Sequence, residues 1–188
     1  MSSVASESAV AVEIRRPRRI VLDRTIAGCF ALAALLHIGP GPRAVLVACV
    51  VAILVELAAV DLERRILPNR IVMPTLLAVL AAQLGLDPSF YFQTLLCAAA
   101  AGLFLLLPSL FRRGAVGMGD VKLAALIGAT LGPLAATALA VGLTAAGAAA
   151  LLLVIRSRDA LRQEIPLGPF LAGGAIVAVL LSAPGALS

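Results

Sequence analysis

Residues 117–156 read GMGDVKLAALIGATLGPLAATALAVGLTAAGAAALLLVIR, and the number of times this stretch crosses a bilayer decides the fold. A spanning helix needs about 20 mostly apolar residues. Gly132-Pro133 divides the run into a short segment, Asp120 to Leu131, and a full one, Leu134 to Ile155. Outward from it, further apolar segments run from Ile20 to Ile38, Arg43 to Val60, Ile71 to Leu86, Phe90 to Phe111 and Pro166 to Ala183, which makes seven candidates. Charge placement arbitrates. If all seven cross and the N-terminal tail is cytoplasmic, fourteen of the fifteen Lys and Arg residues fall in the tail and inside connectors, leaving Arg43 outside. That asymmetry is the positive-inside pattern. Omitting the short fifth segment, or the first with its Asp23 and Arg24, would scatter Arg clusters over both faces. The seven-span reading follows, with the C-terminus outside.

The composition demands the same solvent. Of 188 residues 62% are hydrophobic and 13% charged, where a soluble domain carries about 25% charged residues to face water. Mean hydropathy is +1.09. Only helices or closed barrels satisfy their backbone in lipid, and no period-two alternation supports a barrel. The expected fold is therefore an all-α polytopic membrane bundle: a basic tail over 1–19, then one membrane-embedded domain over 20–188, with the first span kept as a signal anchor. The pI of about 10.1 needs no nucleic acid, because the basic residues are spread over several connectors without interleaved aromatics. Cys29, Cys49 and Cys97 are far apart in apolar runs, which excludes a C-x-x-C metal site and reads as small core residues. His37 reads as structural or interfacial.

Seven of the ten acidic residues fall in the tail, connectors or interfaces, where a solvated charge needs no explanation. Glu56, Asp61 and Asp120 lie in or at the ends of spans, where an ionisable group is a functional hypothesis. Glu56 is five residues before Asp61 and so faces away from it on a helix turning about 100° per residue. Asp61 ends the second span and Asp120 starts the fifth, on the same side of the membrane. Two carboxylates at one depth cannot both ionise at neutral pH when close together, so one serves as base and the other as acid, able to activate a water and protonate a leaving amine. Taken singly, each has a blander reading: Asp120 as a helix N-cap after a glycine turn, Asp61 as an interfacial partner of Arg64 or Arg65. By helix direction, Asp120 meets a positive N-terminal end and Asp61 a negative C-terminal one, which would leave the charge on Asp120 and the proton on Asp61.

Three stretches together resemble the type IV prepilin peptidase family of membrane aspartic peptidases. They are Asp61 followed by Leu67-Pro68-Asn69; then Gly117-Met118-Gly119-Asp120-Val121-Lys122; then Ile165-Pro166-Leu167-Gly168-Pro169-Phe170. A G-x-G-D alone is weak; the combination is specific, and it covers about residues 43–183, six of the seven spans. The resemblance implies that Asp61 and Asp120 are the catalytic pair and that Gly117 and Gly119 shape the approach of the second. It implies that Pro166, Gly168 and Pro169 fix the start of the last span, and it gives Lys122 no firm role. Neither metal nor cofactor is implied. The implied partners are the bilayer and a prepilin or pseudopilin, with a leader cut at the cytoplasmic membrane face. Where longer members carry a cytoplasmic insert with a four-Cys zinc motif, the first two spans here are joined by Gly39-Pro-Gly-Pro42, so N-methyltransferase activity is not expected. Two other classes compete: a small proton-coupled carrier with intramembrane carboxylates, and a catalytically silent homologue in pilus assembly. Carrier folds show paired halves with acids near the bilayer centre, and no half-repeat is visible here.

Overall fold

The computed structural model describes residues 24–39, 41–64, 67–111, 116–156 and 166–183. The tail over 1–19, Ile165 and the basic residues Arg65, Arg112, Arg113, Arg158 and Arg162 lie outside the described residues. All the regular structure described is helical. It runs α1 (Arg24–Ile38), α2 (Pro42–Arg64), α3 (Asn69–Leu86), α4 (Tyr91–Phe111), α5 (Met118–Leu131), a 3-10 turn (Gly132–Leu134), α6 (Ala135–Arg156) and α7 (Gly168–Leu181). By length and composition, Pro42–Glu63, Asn69–Leu86, Tyr91–Phe111 and the run Met118–Arg156 could cross a membrane, while Arg24–Ile38 and Gly168–Leu181 are apolar but shorter. This is a polytopic membrane bundle.

The 39-residue run Met118–Arg156 would be about 58 Å of straight helix, nearly twice a hydrocarbon core. It turns at Gly132, whose φ of +56° lies in the left-handed region that glycine adopts without strain. That α6 reverses direction is shown by its packing: a Cβ on Gly174 would strike the Ala138 carbonyl, and one on Gly142 would sit 2.7 Å from the Phe170 carbonyl oxygen. Sequence numbers rise along α6 as they fall along α7. The two helices are antiparallel.

Small residues set the spacing of these helices, since in lipid association rests on close packing rather than on burial from water. A Cβ on Gly128 of α5 would lie 2.5 Å from the Cys97 carbonyl oxygen of α4. The backbones of α4 and α5 therefore meet closely. From Leu123 to Leu131 nearly every α5 residue is buried, because α2, α3, α4, α6 and α7 all contact it. A helix apolar all round belongs in the middle. Around it, Ala44, Val47, Leu54 and Leu57 of α2 and Leu171, Ala172 and Ala175 of α7 complete the core.

Long-range contacts fix which ends coincide. At one end His37 Nε2 lies 2.8 Å from the Ser182 carbonyl oxygen, Gln83 donates to the Ala129 carbonyl and Arg43 pairs with Asp87 at 3.7 Å. The structural reading of His37 holds. At the other end the C-terminus of α2 meets the starts of α3, α5 and α7. Cys29 and Cys49 differ from expectation: both are exposed on the flank of the bundle rather than in its core. In a membrane bundle an apolar position and a core position are not the same thing, because the lipid-facing surface is apolar too.

Candidate active site

Three helices begin where α2 ends. Pro68 starts α3, its carbonyl accepting from the Ile71 and Val72 N–H groups at 2.9 and 3.3 Å. Gly117 starts α5 in the same way, accepting from Asp120 and Val121 at 3.0 and 3.3 Å. Leu167 starts α7, accepting from Phe170 and Leu171 at 3.1 and 3.0 Å. Pro169 stands in the first turn of α7, where its missing N–H would have had no intrahelical partner and its fixed φ suits the helix. Pro166 immediately precedes this start. Each helix brings the positive end of its dipole to the same region.

Asp61 lies in the last turn of α2, which runs on to Arg64 rather than stopping at Val60. It is 5% exposed and is the sole charged side chain buried among the described residues. Its Oδ2 accepts the Gly168 N–H at 3.0 Å. A Cβ on Gly168 would sit 2.7 Å from that same oxygen. Glycine is thus required there by the carboxylate of another helix. The contact also alters the expectation drawn from helix direction. Asp61 ends its own helix but meets the N-terminus of α7, so helix dipoles do not separate the two aspartates.

Asp120 stands in the first turn of α5 and is half-buried. Its carboxylate folds back over Gly117, where a Cβ would come within 3.1 Å of Oδ2. Gly119 has a different duty: a Cβ there would lie 2.8 Å from the Cβ of Leu67, so its absence lets the Leu67-Pro68 segment lie against the start of α5. Lys122, for which the sequence offered no role, donates from Nζ to Asn69 Oδ1 at 2.9 Å. It ties the first turn of α5 to the first residue of α3. Nothing in the spacing of the two residues reveals that pairing, though both stand beside glycine- or proline-marked helix starts.

The structure therefore gathers all ten singled-out residues, Asp61, Pro68, Asn69, Gly117, Gly119, Asp120, Lys122, Pro166, Gly168 and Pro169, at the end of the bundle where α2 stops and α3, α5 and α7 begin. Glu56 does not join them. It is exposed and lies 4.0 Å from Arg24 of α1. One carboxylate is thus fixed by a backbone N–H of α7, and a second stands in the first turn of α5 at the same end of the bundle.

Comparison with known proteins gives this geometry a lineage. Residues 48–155 match the type IV leader peptidase family. The chain is 35% identical over 159 residues to the prepilin leader peptidase/N-methyltransferase of Bacillus subtilis (strain 168), covering 82% of this chain and 63% of that protein. It is 32% identical over 172 residues to the prepilin leader peptidase/N-methyltransferase of Burkholderia pseudomallei (strain 1026b), covering 88% of this chain and 56% of that protein. The chain thus spans less than two thirds of the length of these curated relatives. No solved structure matches it. With the match covering more than half of its residues, the chain belongs to the type IV leader peptidase family.

Proposed function

We propose that this protein is a membrane aspartic endopeptidase that removes the N-terminal leader of type IV prepilins or related pseudopilins at the cytoplasmic membrane face. One observation carries the reading: the buried Asp61 carboxylate, held by the Gly168 N–H, lies at the end of the bundle where Asp120 opens α5. In the proposed reaction a water lies between the two carboxylates. The ionised one takes a proton from it as its oxygen attacks the scissile carbonyl carbon, and the protonated one gives its proton to the carbonyl oxygen. Collapse of the tetrahedral intermediate breaks the C–N bond, with a proton passing to the leaving amine. Neither metal nor cofactor takes part, and no methyl transfer is expected.

The charge asymmetry of the connectors supports an orientation with the aspartates toward the cytoplasm, the N-terminus inside and the C-terminus outside. Basic leaders gain no long-range attraction from a basic cytoplasmic face, so recognition rests on the apolar pilin helix entering between spans. Co-expression with a candidate prepilin, read as a gel shift, tests the proposal. Wild type should convert the precursor, while Asp61→Asn and Asp120→Asn should each lower the rate by at least about 10³-fold. Unchanged cleavage in either variant would falsify the dyad. An uncut precursor with wild-type protein would instead support the silent homologue.

A further inference from the structure

At the end of the bundle away from the aspartates, a cavity of about 430 Å³ opens among Arg43, Gln83, Asp87, Gln93, Thr94 and Thr130. Two of its polar atoms are buried without a partner: Arg43 Nε and Gln83 Oε1. Gln83 is 6% exposed, and its Nε2 already donates to the Ala129 carbonyl. The Arg43 guanidinium lies 3.7 Å from Asp87 Oδ2, a distance suited to an ion pair but too long for a hydrogen bond. One cavity thus holds an unmet donor and an unmet acceptor, and its occupant must supply the complement of both.

A second cavity, of about 440 Å³, lies between α4 and α6 and is lined by apolar residues including Cys97, Ala101, Phe104, Ala136, Leu139 and Ala140. The two cavities share Gly132 and Pro133. They also lie along one face of α4, since Gln93 and Thr94 of the first and Cys97, Ala101 and Phe104 of the second follow at three- and four-residue steps. A polar chamber therefore adjoins an apolar groove along a single helix face, in a protein whose solvent is lipid. Water alone would satisfy the chamber but not explain the groove. An amphiphile satisfies both.

We propose that these adjoining cavities bind one phospholipid whose headgroup carries a phosphate and a primary ammonium, as in phosphatidylethanolamine. The phosphate accepts from Arg43, the ammonium donates to Gln83 Oε1 and faces Asp87, and an acyl chain follows α4 past Ala101 and Ala136. Charge complementarity selects this headgroup. Asp87 accepts the Ser89 hydroxyl at 2.5 Å, a bond that holds its carboxyl below the usual carboxylate range, so the chamber presents one cation and one anion. A purely anionic headgroup adds a second anion beside the one cation that Asp87 already faces, and a choline headgroup has no N–H for Gln83.

Native mass spectrometry of the full chain, delipidated in detergent and given phosphatidylethanolamine, phosphatidylglycerol or phosphatidylcholine of identical acyl chains, reads the outcome. Phosphatidylethanolamine should be retained about tenfold more tightly than either other lipid, and Gln83→Leu or Arg43→Met should erase that margin. Ala136→Leu, at an exposed groove position, should weaken all three lipids while keeping their order, and it stays informative if the polar variants fail to fold. Equal retention of the three lipids by the wild type overturns the proposal. So does an Ala136→Leu variant that keeps its lipid but no longer cleaves a prepilin, since the groove would then belong to the substrate helix.

Discussion

Gly168 answers two demands: its N–H donates to Asp61, and its missing side chain leaves room for the carboxylate that accepts. Gly168→Ala should therefore displace Asp61 and lower kcat/KM by about a hundredfold, the cost of moving a reacting group by roughly 1 Å. Gly173→Ala, on the same helix with nothing within 4 Å of the added Cβ, should leave cleavage unchanged. A gel-shift time course on both variants checks this, and full activity in Gly168→Ala would show that the α7 contact does not orient Asp61. Lys122→Met should lower activity by less than about tenfold, as expected for one exposed hydrogen bond to Asn69. The aspartates themselves were legible in the sequence, because an ionisable group in an apolar run stands out from its surroundings. The reasons for the glycines were not, since the Gly168 to Asp61 contact joins residues 107 apart and no local pattern records it.

Between helices, the packing turns on glycines that the sequence marks only as interruptions in Ala- and Leu-rich runs. Gly142 and Gly174 let α6 and α7 touch backbone to backbone, whereas Gly147, farther along α6, faces open space. Gly174→Ala should destabilise the bundle by about 1–3 kcal/mol, the range for forcing a methyl into a filled contact, seen as a lower Tm in detergent. Gly147→Ala should not lower it, because Ala is the better helix former. Equal Tm values for the two variants would show that the α6 and α7 backbones do not meet this closely. Element identity was readable from apolar run length and Pro/Gly punctuation, and the Gly132-Pro133 break was read as the corner it is. Helix ends were less so. The sequence stopped the second span at Val60, yet α2 continues through Asp61 to Arg64, since Leu-Glu-Arg residues favour helix as well as they mark an interface. Which of two apolar faces is core and which meets lipid was not readable either, as the exposed Cys29 and Cys49 show.

Taken as a whole, the bundle has helices of unequal length, and this fixes the surroundings of the site. With 14 residues each, α5 and α7 are about 21 Å long, short of a hydrocarbon core of about 30 Å. Their N-terminal ends carry the aspartate site, and α6 runs past that level, so one flank of the site is walled by a longer helix. The longest overhang belongs to α6. Gly142 is level with Phe170, two residues into α7, and α6 runs on from 142 to 156, about 21 Å farther. Leu151, Leu152 and Ile155 in that overhang are 61%, 67% and 74% exposed, and side chains so apolar and so exposed belong in lipid. Met118, the first residue of the short α5, is 63% exposed beside the carboxylates rather than on the overhang. The two positions should thus meet different solvents. In a background with Cys29, Cys49 and Cys97 replaced by Ala, Met118→Cys in intact inverted vesicles should react with a membrane-impermeant maleimide. Leu152→Cys should react at least about tenfold more slowly, because lipid excludes the reagent and apolar surroundings suppress the thiolate. Detergent should remove the difference. Equal rates before detergent would put the end of α6 in water, and the substrate helix of the proposed function would then meet the aspartates outside the bilayer instead of beside α6.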